Sequence, residues 1–298
     1  MIIIGEKING AIPAVKKAIL EHNEKIIRGR ARKQAEAGAD FIDCAASTET
    51  DIEYETMCWL IDIIQGVTDT PICIDSPNAE LLARLLKEGR VARPGMVNSV
   101  NEEGTKCETI FPLIAGTDWH VVGLTCGKQG IPADPAARVE IAKSIIDKAR
   151  FYGVDLSHLH IDPCVMALAT TPSAMEDFAY CIREIHAYAP EVKVTGAISN
   201  ISFDMPARKY VNMGCLNMAV KAGLDSAIMD PCMEDMMGAL YAAAALAGTD
   251  KGGRKYNRAY RKGLFGQPTA PTASAQVSAV AAAAKASAAS AGSAGEKK

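Results

Sequence analysis

The chain has few of the features that mark a secreted, membrane-bound or nucleic-acid-binding protein. Its first residues, MIIIGEKING, contain too few consecutive apolar residues for a signal peptide, and no window of the sequence approaches a transmembrane span. The nine cysteines include no CxxC pair, so a disulfide framework is not indicated. The net charge of −3 gives no general attraction to nucleic acid or to a membrane surface. We therefore expect a cytoplasmic protein that binds neither.

What the sequence does contain is a regular alternation of short apolar runs with longer amphipathic ones. The short runs predict eight strands, at residues 2–8, 40–46, 71–75, 95–100, 120–125, 158–163, 192–199 and 226–230. The longer runs predict eight helices, at residues 23–37, 52–65, 79–88, 106–115, 135–152, 172–187, 210–222 and 234–247. Eight strand–helix units predict an α/β protein with the (β/α)8 TIM-barrel fold, since a doubly wound sheet would more often have fewer strands.

The C-terminal part of the chain has a different composition. Residues 264–298 are rich in alanine, serine and threonine and offer few large apolar side chains for burial. We expect a single barrel domain over residues 1–263, followed by a flexible low-complexity tail over residues 264–298. A basic stretch at 251–262 precedes the tail and is interpreted as a terminal helix.

Each predicted strand ends on a polar residue that follows a buried apolar run. In chain order these residues are Glu6, Asp43, Asp75, Asn98, Thr125, Asp162, Asn200 and Asp230. Any one of them could simply cap the next helix, but a set of caps would be a mixture rich in serine and glycine. Because the carboxyl ends of barrel strands meet at one mouth, the pattern predicts a ring of carboxylates and amides there.

Carboxylates gathered at one mouth repel each other unless a ligand supplies hydrogen-bond donors or a metal ion supplies positive charge. The 2-amino-4-oxo edge of a pterin is a neutral, planar ligand whose N–H groups suit carboxylates and asparagines. The residues alone do not decide between a pterin and a metal ion as the ligand. The stretch GAISNISFDMPAR (196–208) adds Ser199 and Asn200 to the ring, although by itself it is equally consistent with an ordinary strand-to-helix turn.

The strand ends as a series resemble those of the pterin-binding methyltransferase family. The segments that carry the resemblance are IGEKING (4–10), FIDCA (41–45), ICIDS (72–76), MVNS (96–99), GLT (123–125), HIDP (160–163) and ISNIS (198–202). They follow one another over residues 2–247, and this order is more specific than any single segment. The resemblance implies that Asp75, Asn98 and Asp162 hydrogen-bond the pterin and that Asn200 faces its N5 atom as the catalytic residue. It implies that the same pocket is lined by Gly196, Ser199 and Arg208, and we add Glu6 and Asp43 as substrate-binding residues of the ring.

The activity implied by the resemblance is transfer of a methyl group between N5 of tetrahydrofolate and the cobalt of a corrinoid (cobalamin) held by a separate protein. The tetrahydrofolate methyltransferases of anaerobic methylamine or glycine betaine demethylation are the most similar group, which favours formation of methyltetrahydrofolate. The residues themselves do not define the direction of transfer, the corrinoid protein or the original methyl donor. The resemblance also implies a homodimer, and no resident metal is expected.

Three other functions are weighed against this one. Dihydropteroate synthase shares the barrel and the pterin contacts, but the chain has no serine-rich loop after the first strand and no terminal S-R-K phosphate motif. A non-catalytic folate-binding module would have the same pocket without accelerating transfer. A metal-dependent hydrolase could use His158 and His160, which alternate on the sixth predicted strand.

Overall fold

A computed structural model describes residues 1–266 and contains one sheet of eight parallel strands. In chain order they are β1 (Ile2–Asn9), β2 (Phe41–Ala45), β3 (Ile72–Asp75), β4 (Met96–Glu102), β5 (His120–Gly127), β6 (Leu159–Asp162), β7 (Lys193–Val194) and β8 (Ser226–Met229). The sheet order is β7-β6-β5-β4-β3-β2-β1-β8. The two edges meet through hydrogen bonds from Asp225 N to Val194 O and from Ile228 N to Gly196 O, both 3.0 Å. The predicted (β/α)8 barrel is confirmed.

The described part of the chain forms ten helices. They are α1 (Pro13–Leu20), α2 (Glu24–Glu36), α3 (Thr50–Gln65), α4 (Ala79–Lys87), α5 (Lys106–Ile114), α6 (Pro135–Tyr152), α7 (Ala174–Tyr188), α8 (Arg208–Ala222), α9 (Glu234–Leu246) and α10 (Arg254–Arg261). Eight of them correspond to the predicted helices, and α10 corresponds to the basic terminal helix. The helix α1 is an addition to the pattern within the connection from β1 to α2. None of the helices in residues 1–266 combines the length and apolarity needed to span a bilayer.

Apolar side chains fill two regions of the barrel. A small cluster inside it contains Ile4, Phe41, Cys73, Met96 and Val122, all of which are buried. A larger cluster fills the space between the strands and the surrounding helices. Burial on both faces explains why the strands read as nearly continuous apolar runs. These two layers hold the strand ends, and therefore the mouth, in a fixed arrangement.

The seventh strand is much shorter than predicted. The prediction placed a strand over 192–199, but β7 covers only two residues, and a 3-10 helix follows at Ile198–Ser202. The backbone N–H of Asn200 donates to the carbonyl of Ala197 at 3.1 Å, so the chain bonds to itself here and the strand ends. The two polar residues Ser199 and Asn200 therefore lie on a tight turn.

The end of the described chain packs against the barrel. Phe265 is buried and its ring contacts those of Tyr241 and Tyr256, with centroid separations of 5.7 and 5.0 Å. The first residues of the predicted tail are thus attached to α9 and α10. The remainder, residues 267–298, lies outside the described residues.

Candidate functional site

A cavity of 740 Å³ opens at the carboxyl ends of the strands. Eight of the nine predicted site residues line it: Glu6, Asp43, Asp75, Asn98, Asp162, Ser199, Asn200 and Arg208. They come from five strands, the turn after β7 and the first residue of α8. Residues separated by up to 202 positions in the chain are therefore neighbours in one site, as the strand-end pattern predicted.

Gly196 is the predicted site residue that the structure does not bring to the cavity. It is buried in the barrel wall, where a Cβ atom would lie 2.6 Å from Cζ of Phe178 and 3.1 Å from Cγ2 of Val165. Its backbone faces the α7 side of the wall, so the residue has to be glycine for close packing. Thr125 does not line the cavity either: it is buried, and its hydroxyl contacts Sγ of Cys164 at 3.7 Å.

Asp43 and Asp75 form a pair of carboxyl groups on neighbouring strands. Asp43 is 2% exposed, and its Oδ1 atom has no hydrogen-bond partner within residues 1–266. Burial raises the pKa of Asp43, and the nearby charge of Asp75 raises it further. Burial also raises the pKa of Asp75, to about 7. Two such groups cannot both be ionised at low cost, so the pair favours a ligand that brings N–H donors.

Asp162 lies at the end of β6 on the same cavity. One carboxylate oxygen accepts a hydrogen bond from the backbone N–H of Cys164 at 2.8 Å, which orients the side chain. Burial raises the pKa of Asp162 to about 7, although this hydrogen bond opposes the shift. The group can therefore change its protonation state at neutral pH as a ligand binds.

The turn after β7 is anchored at both ends. The hydroxyl of Ser199 donates to Oε2 of Glu6 on β1 at 3.2 Å, and burial raises the pKa of that glutamate. Arg208 donates to the carbonyl of Ser199 at 2.6 Å and to the hydroxyl of Ser202 at 2.9 Å. The guanidinium also lies 4.9 Å from the ring centroid of Phe203. These contacts fix Ser199 and Ser202, the residues on either side of Asn200 in the turn.

Asn200 is half-buried and projects its amide onto the cavity. Within residues 1–266, its side chain makes no hydrogen bond to another residue. An amide offers both a donor and an acceptor without titrating. A free amide on a fixed turn can therefore bond a ring nitrogen in either protonation state.

Sequence reasoning missed several residues that complete the site. Further side chains on the cavity include Lys7, Asn9, Asn212, Phe203 and Met233. Lys7 forms an ion pair of 3.1 Å with Asp230, the last of the predicted strand-end residues. The signal for Lys7 and Asn9 was their position at the end of β1 beside Glu6. Asn212 lies on α8 and carried no pattern that could have identified it.

Arg138 supports the site from behind and was also missed. Its guanidinium is fully buried and donates to the carbonyls of Pro163 and Cys164 at 3.1 and 3.2 Å. An ion pair of 3.6 Å with Asp177 partly balances its charge. These bonds hold the segment that follows Asp162. A buried arginine within a helix of ordinary composition gives no sequence signal of such a role.

The histidines of the metal hypothesis lie away from the mouth. His160 is buried and contacts His120 and the hydroxyl of Ser226, at 2.9 and 2.7 Å, near the opposite ends of the strands. Burial lowers the pKa of His160, as expected of a neutral imidazole within a barrel. Within residues 1–266, no three His, Cys, Asp or Glu side chains are arranged to hold a metal ion.

The fold and the cavity together define a class: a (β/α)8 barrel whose mouth carries carboxyl and amide groups that suit a flat, N–H-rich heterocycle. Comparison with protein families is consistent with this class, since residues 14–230 match the model of the pterin binding enzymes. The chain belongs to the pterin binding enzyme family, and the predicted family is confirmed.

Similar proteins of known function include a methylcorrinoid:tetrahydrofolate methyltransferase and a methionine synthase. The chain is 45% identical over 268 residues to the methylcorrinoid:tetrahydrofolate methyltransferase of Eubacterium limosum, covering 89% of this chain and 98% of that protein. It is 30% identical over 244 residues to the methionine synthase of Mycobacterium tuberculosis, which covers 77% of this chain but only 20% of that larger protein.

Solved structures of similar fold include two dihydropteroate synthases. The enzyme from Thermus thermophilus superposes with a TM-score of 0.58 at 18% identity, covering 74% of this chain and 87% of that one. The enzyme from Coxiella burnetii superposes with a TM-score of 0.60 at 14% identity, covering 84% and 94%. At these identities the likeness concerns the fold alone.

Proposed function

We propose that the protein transfers a methyl group between a methyl-corrinoid carried by a separate protein and N5 of tetrahydrofolate. The observation that carries the proposal is the cavity in which Asp75, Asn98 and Asp162 share one mouth with the free amide of Asn200. The similarity to the methyltransferase of Eubacterium limosum, over nearly the whole of both chains, supports the choice of substrates.

The carboxyl groups would hold the pterin ring by its donor edge. The exocyclic amine and ring N–H of a pterin can donate to Asp75 and Asp162, while the amide of Asn98 can pair with a neighbouring ring atom. Both aspartates have pKa values raised to about 7 by burial, so hydrogen-bond donors from the ligand would stabilise their ionised forms. We assign the deep Asp43 and the rim residue Glu6 to the same binding surface.

The catalytic role falls to Asn200. Methyl transfer is a displacement at carbon, so N5, the methyl carbon and cobalt must lie in line. When N5 receives the methyl group, its lone pair attacks and Co(I) leaves with the electrons of the cobalt–carbon bond. In the reverse direction the pterin leaves more readily when N5 has gained a proton. An amide can accept from N5–H or donate to neutral N5, so Asn200 would serve both directions.

We propose that the physiological direction is formation of methyltetrahydrofolate, within a demethylation pathway.

The nine free cysteines suit a reducing compartment, so the location we propose is the cytoplasm. We propose a homodimer as the working assembly, which sedimentation velocity of the full chain would test. A single monomeric species at micromolar concentration would refute the dimer without affecting the reaction.

The alternative that is not an enzyme is a folate-binding module without catalytic activity. It would use the same carboxyl groups but would not need a free amide on an anchored turn. The dihydropteroate synthase alternative rests on the fold alone, because the identity to those enzymes is 18% or lower in the two structures above.

The decisive experiment is optical. The protein is mixed with methylcob(III)alamin and tetrahydrofolate without oxygen, and formation of cob(I)alamin is followed by its absorption. The reverse mixture, cob(I)alamin with methyltetrahydrofolate, is followed in the same way. We expect enzyme-dependent conversion in both directions. Pterin binding by calorimetry without any conversion, with free or protein-held corrinoid, would support the binding module and refute the methyltransferase.

Substitution of Asn200 tests the catalytic assignment. Asn200→Ala should lower the single-turnover rate by about a hundredfold, the usual loss when one positioned polar group is removed. Pterin affinity should change much less. The control is Asn257→Ala, since Asn257 is exposed on α10 far from the mouth. A wild-type transfer rate in the Asn200 variant would refute its role.

A further inference from the structure

Exposed apolar side chains concentrate around the mouth. Eleven large apolar residues of the described chain are exposed, and six of them lie at the carboxyl end of the barrel: Leu20, Ile26, Ile52, Ile131, Phe203 and Tyr210. Each sits in a strand-to-helix connection or in the first turn of a barrel helix, and α1 is itself part of such a connection. Apolar surface that clusters around one feature of a protein marks a site of contact with another molecule.

A small groove lies on this rim, lined by apolar side chains and by the charged residues Lys16 and Glu49. It has a volume of 140 Å³ and runs between α1 and the connection from β2 to α3. Its walls include Ile19 and Leu20 on one side and Ala46, Thr48 and Ile52 on the other. Leu20 is 68% exposed and Ile52 is 47% exposed, whereas Ile19 is buried beneath them. The groove floor is therefore fixed by the core while its edges remain open.

The helix α1 joins this groove to the catalytic cavity. Ile12 and Pro13, at the start of the helix, line the cavity, whereas Ile19 and Leu20, at its end, line the groove. Pro13 occupies the first helical position, and the helix spans only eight residues. A macromolecule that covers the cavity from this side would thus meet α1 and the groove with a continuous surface.

We infer that the groove between α1 and the connection from β2 to α3 is the docking surface for an apolar segment of the corrinoid-carrying protein. The inference rests on the proposed function, which requires a protein-held methyl group to reach the cavity from outside. A corrin ring fixed in a protein cannot enter the barrel, so its carrier has to rest on the mouth. Burial of Leu20 and Ile52 would contribute to that contact without involving any group that holds the pterin.

The experiment compares protein-held and free corrinoid as methyl donors. The protein-held probe is a cobalamin-binding protein reconstituted with methylcob(III)alamin, and the free probe is methylcob(III)alamin. Leu20→Asp and Ile52→Asp should each raise KM for the protein-held donor by about tenfold, the usual effect of losing a central apolar contact. With the free donor, kcat/KM should stay within twofold of wild type.

The matched control is Leu246→Asp. Leu246 is 87% exposed, but it lies at the end of α9, at the opposite end of the barrel. We expect Leu246→Asp to leave methyl transfer from the protein-held donor and from the free donor unchanged. Circular dichroism and pterin affinity confirm that each variant is folded.

The possible outcomes separate the two proposals. A wild-type KM for the protein-held donor in both groove variants would refute the proposed docking surface but not the proposed function. An equal loss with the free donor would also overturn it, because the substitutions would then act through the cavity. No transfer by the wild type with either donor would refute the proposed function and the docking surface together.

Discussion

Replacing Asp162 with asparagine should make the stability of the barrel less dependent on pH. The carboxyl group of Asp162 is 5% exposed and accepts one hydrogen bond, from the backbone N–H of Cys164 at 2.8 Å. The amide oxygen of asparagine can accept the same bond in nearly the same volume. The substitution therefore removes the ionisation and leaves the local structure intact.

The size of the effect follows from the raised pKa. Burial raises the pKa of Asp162 from 3.8 to about 7 on folding, so the folded state holds the proton more tightly than the unfolded state. The favourable contribution of this group is complete below the unfolded pKa and is lost as the pH rises through 7. At about 1.4 kcal/mol per pKa unit, the full loss is about 4 kcal/mol, of which about 1.5 kcal/mol has already occurred at pH 5.

The assay is urea unfolding of both proteins at pH 5, 6.5 and 8. The free energy of unfolding of the wild type, relative to Asp162→Asn, should fall by about 2 to 3 kcal/mol between pH 5 and pH 8. Asp204→Asn is the control, because Asp204 is exposed beyond the turn after β7 and should show no such trend. A difference between wild type and Asp162→Asn that is constant with pH would refute the reasoning.

Two further predictions concern residues that shape the site without binding the pterin. Gly196→Ala should lower the free energy of unfolding by about 1 to 3 kcal/mol, because the new methyl group would lie 2.6 Å from Phe178, and Phe178→Leu in the same chain should restore part of the loss. An unchanged melting temperature would contradict this. Arg138→Met should weaken pterin affinity in calorimetry by about tenfold, because the segment after Asp162 loses the bonds from the guanidinium to two carbonyls. Wild-type affinity in a folded variant would show that Arg138 has no positioning role.

Much of the fold could be predicted from local patterns of apolar and polar residues. The strands are buried on both faces, so they appear in the sequence as apolar runs that stop at the barrel surface. The helices appear as amphipathic runs with clear starts and stops, such as Asn78, whose side chain accepts from the N–H groups of Glu80 and Leu81. The short helix α1 was not predicted, because an eight-residue segment that begins with proline resembles a loop as closely as a helix.

The site was predictable wherever it depended on strand ends. A polar residue that follows a buried run must sit where the strand leaves the barrel, and parallel strands bring all such residues to one mouth. This is why Asp75, Asn98 and Asp162 could be placed together from the sequence. The pattern did not reveal which strand-end side chains turn inward, and Thr125 turns toward Cys164 instead.

The sequence by itself thus determined the barrel and the set of polar groups at its mouth, because each depends on the order of residues along a single strand or helix. Only the tertiary structure decided that Gly196 packs against Phe178 and that Asn200 stands on a turn tied to β1 through Ser199 and Glu6. The physical reason is distance along the chain. Ser199 and Glu6 are 193 residues apart, and their hydrogen bond exists only because the barrel closes.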